Sequence, residues 1–337
     1  MNAPIMPSIP QGDITAHNDY INDLNKSLDP RSMTGEQLWH HERRLGIGGS
    51  DVAAILGISK WATPLDIFNQ KRGYVEPADL STNERVHFGN VLEDVVAQEY
   101  ARRFNCKVQR RNNPIVHDDL PWMRANLDRV VVGQKKVLEC KTADAFTVKF
   151  NWGESGTDEV PDQYLVQCMH YLICTGWEEA DLAVLIGGNR FERYCIQFDP
   201  ELVAILLERV RDFWINYVLA DVPPPPTTLD EINQAYPNDD GEKTIATIEV
   251  AEAINERKEL DEQKGLIESR IKAQDEIIKG YMGTKNTLVD HLGQPLATWK
   301  TAKPSRRFNT SGFQKVHPDL YSEFTQEGKA SRRFLIK

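Results

Sequence analysis

The sequence predicts a mixed α/β fold of the α+β kind, in which a helix-flanked sheet domain ends near Ala220 and a smaller module follows. Three observations carry this. Apolar residues recur at helical period as far as about Phe104, then at a period nearer two from Val108 to Thr142. Four consecutive prolines, Pro223 to Pro226, exclude helix or central strand where they stand. A chain of 337 residues, 40% hydrophobic, is long enough for one sizeable core and a second, smaller unit.

The elements follow in order. Residues 1–33 are polar and proline-bearing, an N-terminal arm or a loosely attached first helix. In T-G-E-Q-L-W-H-H-E-R-R, Thr34 is an N-cap and Gln37 its capping-box partner. Gly46, Gly48 and Gly49 end that helix, and Ser50 caps a second one, S-D-V-A-A-I-L-G. Trp61 to Pro64 turn into a third helix over Leu65–Lys71. A longer helix from about Asn83 to Phe104 carries Val86, Phe88, Leu92, Val95, Val96 and Tyr100 as its buried stripe.

Short strands come next, then a helix over Gln163–Thr175. Two strands joined by Gly187-Gly188-Asn189 make a hairpin, and an aromatic-rich helix runs from Leu202 to Val218. Phe213, Trp214 and Tyr217 on it read as core against the sheet, and His170 as a packed or surface histidine. Trp152 and Trp177 each stand beside a glycine and could border a channel. The proline-rich linker occupies 221–228. Beyond it, 229–337 forms a helical arm and a small basic, β-rich module. Leu260, Ile267, Ile271 and Ile278 lie near a heptad seam broken by Lys264 and Gln274, which favours a helix laid on its own domain over an intermolecular coiled coil.

Composition removes several function classes. No run of about 18 apolar residues is present, so no membrane span is expected, and the opening residues lack the charge and apolar core of a signal peptide. A cytoplasmic location is the expectation. Five cysteines without a C-x-x-C pair indicate neither a disulfide framework nor a thiolate zinc site. The net charge of −10 is uneven: Tyr281 to Lys337 holds ten Lys/Arg against four Asp/Glu, a net of +6, so the preceding chain totals −16. G-I-G-G-S has no following lysine where a Walker loop requires one.

The most informative stretch is L-D-R-V-V-V-G-Q-K-K-V-L-E-C-K, Leu127 to Lys141. As a hairpin centred on Gln134-Lys135, it pairs residue 132 with 137, 130 with 139 and 128 with 141. Alternation places Asp128, Val130, Glu139 and Lys141 on one face and Leu138 and Cys140 on the other. Asp128 then stands diagonal to Glu139, roughly 7–8 Å apart at Cα, a gap that two carboxylates can bridge through one divalent ion. Carboxylates are hard oxygen ligands suited to Mg²⁺, and a lysine beside them can hold an attacking water or offset phosphate charge. Glu93 on the preceding helix is the best further carboxylate, with Asp94 its competitor. The alternative is a solvated cross-strand salt bridge.

These residues resemble the core motif of the PD-(D/E)XK nuclease superfamily, and the wider sequence resembles its YqaJ-like viral recombinase branch, to which phage lambda exonuclease is related. The likeness rests on W-H-H-E-R-R-L-G-I-G-G-S-D-V-A-A-I-L-G (Trp39–Gly57), H-F-G-N-V-L-E-D (His87–Asp94), D…E-C-K and V-P-D-Q-Y-L-V-Q-C-M-H-Y (Val160–Tyr171), between about Leu38 and Pro223. It implies a restriction-endonuclease-like core with flanking helices. It also implies that Glu93, Asp128 and Glu139 are carboxylates at the metal, with the Cys140 backbone carbonyl as a further contact. Lys141 would be the catalytic lysine, Gln167 the supporting glutamine, and Arg44 with Ser50 the receivers of a terminal 5′ phosphate. The cofactor implied is Mg²⁺, with Mn²⁺ able to substitute. The activity implied is 5′-to-3′ digestion of double-stranded DNA by a homo-oligomer, a ring-shaped trimer, in partnership with a phage single-strand annealing protein.

Two rival readings remain open from the residues alone: an endonuclease with the same core, and an inactive DNA-binding or assembly protein. Arg44 and Ser50 also have a reading from the residues alone: Ser50 is a natural N-cap, while a helix start after glycines presents free N–H groups to a phosphate, and Arg43 and Arg44 provide the fork geometry that phosphate binding favours. In the basic tail, W-K-T-A-K-P-S-R-R-F and K-A-S-R-R-F-L-I-K place Arg306, Arg307, Arg332 and Arg333 where they can grip a DNA backbone or balance the acidic helix.

Overall fold

The computed structural model describes residues 11–27, 33–75, 82–146, 148–326 and 332–337. It divides into two units, Met1–Ile232 and Asn233–Lys337. Helices α1 (Gln11–Ser27), α2 (Gly35–Arg44), α3 (Gly49–Ile55), α4 (Pro64–Arg72) and α5 (Glu84–Arg103) open the first unit. Strands β1 (Val108–Arg110), β2 (Ile115–Val116), β3 (Arg124–Ala125), β4 (Arg129–Val131) and β5 (Lys136–Ala143) follow. After α6 (Val148–Asn151) and α7 (Asp162–Thr175) come β6 (Glu179–Ile186), β7 (Arg190–Gln197) and α8 (Pro200–Asp212), which continues as a π-helical stretch, Phe213–Leu219.

Five strands form one sheet in the order β1-β4-β5-β6-β7. The neighbours β5 and β6 are parallel, joined through α7, while the other pairs are antiparallel. This crossover places α7 across one face of the sheet, and α5 covers the other. Strand alternation therefore sorts β5 into two environments. Val137 joins the large core with Val166, Leu172, Leu182 and Trp214, whereas Leu138 and Cys140 join a smaller core with Val96, Ala97, Tyr100 and Ala183.

Local chemistry sets several element ends. Thr34 and Gln37 form the capping box of α2 through reciprocal bonds of 3.3 and 2.9 Å. Ser50 does not cap α3. The cap lies two residues earlier, at Gly48, and the Asp51 carboxylate accepts from the Gly48 N–H at 2.9 Å, leaving Ser50 exposed in the first turn. A charged acceptor holds the free N–H more strongly than a hydroxyl.

The structure departs from the sequence reading in six further places. The β4–β5 register pairs Arg129 with Leu138 and Val130 with Val137, so the hairpin is two residues tighter than the 130–139 pairing. Gly133 adopts φ 81°, and a tight turn there sets that register. In α5, Val86, Phe88 and Val95 are exposed, and the buried residues are Val96, Ala97 and Tyr100 in the C-terminal half. Within the described part of the N-terminal arm, α1 is firmly docked: Tyr20 packs edge-on against Trp214, its hydroxyl donates to the Lys71 carbonyl at 2.6 Å, and Arg211 pairs with Asp13. Residues 1–10 and 28–32 of that arm lie outside the described residues.

The first unit also runs past Ala220 to Ile232, because the proline stretch is tied to it. Asp221 pairs with Arg72 at 2.8 Å and accepts from the Tyr74 hydroxyl, and Glu231 accepts from Thr63 and from the Thr227 N–H. In the second unit, α10 (Ile248–Met282) follows α9 (Leu229–Ala235), which spans the division. Leu260, Ile267, Ile271 and Ile278 on α10 are exposed, so the seam is not packed within its own unit. The rest is a hairpin, β8 (Thr287–Val289) with β9 (Pro295–Thr298), and two short helices, α11 (Thr310–Val316) and α12 (Pro318–Glu323). This is less β-rich than the pattern suggested.

His170 is buried on α7, with Nε2 2.9 Å from the Arg124 carbonyl, and burial pushes its pKa down to about 4. The unfolded chain therefore takes up this proton at higher pH than the fold does, and stability falls as pH drops from about 6.5 towards 4. Urea unfolding should show a His170 contribution of about 2 kcal/mol lost between pH 7.5 and 5, and His170→Asn should flatten that dependence. An unchanged slope in a folded variant would refute the assignment.

Candidate active site

Glu139 is the centre of the site. It lies on the α7 face of β5 and is only 1% exposed. One oxygen, Oε1, receives the Lys141 ammonium at 2.5 Å and the Gln167 amide at 2.8 Å. The other, Oε2, is buried and has no hydrogen-bond partner. Asp128 stands across the hairpin: with Arg129 opposite Leu138, the next step places Asp128 opposite Glu139 rather than Lys141. Its carboxylate accepts from the Cys140 N–H at 2.9 Å, which holds it against β5. Asp128, Glu139, Lys141 and Gln167 are therefore brought together.

The electrostatics follow from crowding. Burial and the adjacent Asp128 charge raise the Glu139 pKa to about 8, against the opposing pull of Lys141. Burial works against the Lys141 charge, but Glu139 and Asp128 outweigh it and raise its pKa, so the lysine stays an ammonium. Its Nζ also lies 5.4 Å from the Tyr164 ring centroid, a cation–π placement. Cys140 carries a thiol whose pKa is raised by burial and by nearby carboxylates, on the α5 side of the sheet, and it is no nucleophile.

Glu93 is placed differently. It accepts from Arg129 at 2.6 Å, and Asp94 pairs with the same guanidinium, which also donates to the Asp128 carbonyl at 2.5 Å. Arg129, 4% exposed, thus pairs with the carboxylate to which the resemblance gave a place at the metal. Among the described residues, no group of three or more His, Cys, Asp or Glu is arranged to hold a metal. What could hold a divalent cation is a smaller donor set, the unpartnered Glu139 Oε2 and the Asp128 carboxylate, with water completing the shell.

The sequence reading missed Arg129, Tyr164 and Tyr171. The Tyr171 hydroxyl accepts from Gln167 at 2.8 Å. A signal was present, since 164, 167 and 171 form one i, i+3, i+7 stripe on α7. Arg129 alternates with Asp128, so its opposite face was legible, but its partners on α5 were not.

Two recesses flank this stripe. A hollow of about 130 Å³ is lined by Arg43, Ser50, Lys71, Arg124, Asn126 and Tyr171. A groove of about 1220 Å³ is lined by Lys60, Trp61, Phe88, Trp152 and Tyr164, among others. Gly49 permits the first: a Cβ there would come within 2.5 Å of the Tyr171 ring, so only glycine lets α3 approach α7.

Arg44 does not face the hollow. Its guanidinium donates to the Lys71 and Arg72 carbonyls at 3.1 and 3.0 Å and packs over Gly73, where a Cβ would fall 2.6 Å from it. Arg43 does face it, 3.4 Å from Ser50 Oγ and paired with Asp51 at 2.6 Å. Beneath lies a buried Asp51–Lys71 pair at 2.6 Å. Burial would raise the Asp51 pKa, but Lys71 and Arg43 overcome this and hold it at about 2; burial lowers Lys71 to about 8 despite Asp51.

The site is thus a carboxylate–lysine centre on an α/β sheet domain. The model of the YqaJ-like viral recombinase domain matches residues 38–178. The protein YqaJ of Bacillus subtilis (strain 168) is 35% identical over 317 residues, covering 92% of this chain and 97% of the relative. The chain belongs to the YqaJ-like viral recombinase family. Among solved structures, an alkaline exonuclease from Laribacter hongkongensis is similar over 56% of this chain and 94% of its own, at 19% identity and a TM-score of 0.45. A phage related exonuclease from Haemophilus somnus 129PT is similar over 55% and 98%, at 14% identity and a TM-score of 0.36. No helix among the described residues is long and apolar enough to cross a membrane.

Metal binding is checked without catalysis. Thermal melting of the wild type should rise by roughly 5–10 °C when Mg²⁺ stands at about a hundred times its dissociation constant. Asp128→Asn and Glu139→Gln should abolish the rise, while Glu93→Gln should keep it, because Glu93 answers to Arg129. A full shift in folded Asp128→Asn would remove that carboxylate from the donor set.

Proposed function

We propose that the chain is a Mg²⁺-dependent deoxyribonuclease with a PD-(D/E)XK core that digests double-stranded DNA from its 5′ ends. The observation that supports this most is the buried Glu139 with one oxygen held by Lys141 and Gln167 and the other unpartnered beside Asp128. A surface salt bridge would have no such buried acceptor facing a second carboxylate.

Asp128, Glu139 and the Cys140 carbonyl would hold Mg²⁺, or Mn²⁺ in its place. The ion, when bound, supplies neutralisation of phosphate charge and a more acidic water. Lys141 would hold an attacking water by hydrogen bond at its Nζ and offset charge that builds on the phosphate. Gln167, itself oriented by Tyr171, fixes the Glu139 rotamer. Glu93 acts through Arg129, which braces the Asp128 backbone. In this reading the terminal 5′ phosphate goes to the hollow, where Arg43 and Ser50 take the role that the family resemblance gave to Arg44 and Ser50. The larger groove receives the duplex. A cytoplasmic, ring-shaped homo-oligomer, a trimer by resemblance, and a phage single-strand annealing protein as partner complete the proposal.

Purified protein with Mg²⁺ should degrade linear duplex DNA and leave covalently closed circles intact; cutting of the circles would favour the endonuclease reading. Asp128→Asn should lower hydrolysis at least about 100-fold, and Gln167→Ala about 10- to 100-fold. Full activity in folded Asp128→Asn would end the proposal.

End recognition has its own check. The wild type should digest 5′-phosphate ends faster than 5′-hydroxyl ends, and Arg43→Ala should shrink that ratio. Arg44→Ala should instead lower the melting temperature, since two charged hydrogen bonds to α4 carbonyls are lost. The reverse pattern would return the phosphate to Arg44.

A further inference from the structure

The second unit carries a feature that hydrolysis does not use. Between β9 and α11 the chain runs through Trp299-Lys300-Thr301-Ala302-Lys303-Pro304-Ser305-Arg306-Arg307-Phe308 without helix or strand. Both ends are anchored. The Trp299 N–H donates to the Asn286 carbonyl at 3.0 Å, closing the β8–β9 hairpin. At the other end Asn309 caps α11 by accepting from the Gly312 N–H at 2.9 Å, and the Thr310 N–H donates to the Phe308 carbonyl at 3.1 Å. Two aromatic rings are thus held at the ends of a cationic stretch that is neither helix nor strand.

Their surfaces are open. Trp299 is 49% and Phe308 70% exposed. Phe308 is backed by Phe313 at 4.9 Å between ring centroids, and Phe313 by His317 at 5.3 Å, so the outer ring rests on an aromatic ladder. Lys300, Lys303, Arg306 and Arg307 are all exposed. Among the described residues, the ion pairs of this unit lie along α10, Arg257–Asp261, Lys264–Glu268 and Lys279–Asp275, and none involves these four cations. Arg332 is otherwise engaged, donating to the Tyr236 carbonyl at 3.2 Å. Lys329 to Ser331 lie outside the described residues.

We propose that the Trp299–Phe308 segment is a binding site for single-stranded DNA. Four exposed cations along one irregular segment match a chain of phosphates, and the reversal of charge from −16 to +6 at Tyr281 makes this the region of the chain where a polyanion is attracted. The rings discriminate among polyanions. A duplex offers its phosphates but closes its base faces, whereas a single strand presents bases that stack on exposed aromatic side chains. Eight residues from Lys300 to Arg307 span at most about 28 Å, room for about four nucleotides. That this strand is the one freed by digestion of its complement rests on the proposed nuclease reading; the binding itself does not.

Fluorescence anisotropy of the full-length protein with 5′-hydroxyl oligo(dT), in EDTA and across salt concentrations, tests the site. Trp299→Ala/Phe308→Ala should weaken binding at least about fivefold for each ring, while leaving affinity for a blunt duplex of equal length within twofold. Trp299→Phe/Phe308→Tyr should restore it. Arg306→Ala/Arg307→Ala should lower affinity about tenfold at low salt and flatten the slope of log K against log salt by about 1.4. Circular dichroism controls for folding. Wild-type affinity for oligo(dT) in the aromatic variant, or equal losses on single strand and duplex, would overturn the proposal in favour of a protein-docking or duplex-backbone surface. Hydrolysis by the wild type in Mg²⁺ is read separately, so a failed nuclease and a failed single-strand site give different results.

Discussion

A carboxylate removed from water at the middle of a sheet costs several kcal/mol unless polar groups meet it, and much of the first unit is arranged to meet Glu139. Lys141 approaches along the same strand face, Gln167 comes from α7, and Tyr171 orients Gln167. For α7 to reach that position, β5 and β6 must be parallel neighbours with a helix crossing between them. For α3 to pack on α7, residue 49 must be glycine. One oxygen nevertheless remains unsatisfied. A protein interior rarely leaves such a group unsatisfied, and this one lies next to a second carboxylate, Asp128.

The opposite face of the sheet solves a related problem. Arg129 is buried and needs carboxylates, which Glu93 and Asp94 supply from α5. The Tyr100 hydroxyl likewise bonds to Asp181, whose side chain is buried between α5 and β6 and is flanked by Lys136 and Arg193. The two faces therefore divide their labour. On the α7 face a negative centre is left open on one side, and on the α5 face charges are closed off in pairs. Arg129 connects them through the Asp128 backbone.

The units also differ in how they treat charge and apolar surface. The first has an apolar core on each face of its sheet and places its buried ions in pairs. The second leaves isoleucines, a tryptophan and phenylalanines exposed and its basic residues facing solvent. Surface of that kind is selected by what it contacts rather than by folding, since exposed aromatic rings beside unpaired cations add little to stability.

Much of the fold was legible because it depends on local rules. The helix start at Thr34, the hairpin glycines 187 and 188, and the face shared by Asp128, Glu139 and Lys141 follow from capping, turn and alternation chemistry. Parity survives a register error: a two-residue shift kept the same residues on the same face while changing which stands opposite Asp128. The sequence by itself therefore determined the family, the sheet domain and the side chains that converge on Glu139. Only the tertiary structure decided that Glu93 answers to Arg129, that Arg43 and not Arg44 enters the hollow, and that the first turns of α5 lie bare. The reason is physical: neighbouring residues such as Arg43 and Arg44 are equal in composition and period. What separates them is which long-range partner, Asp51 or the carbonyls ending α4, lies within reach once the helices have packed.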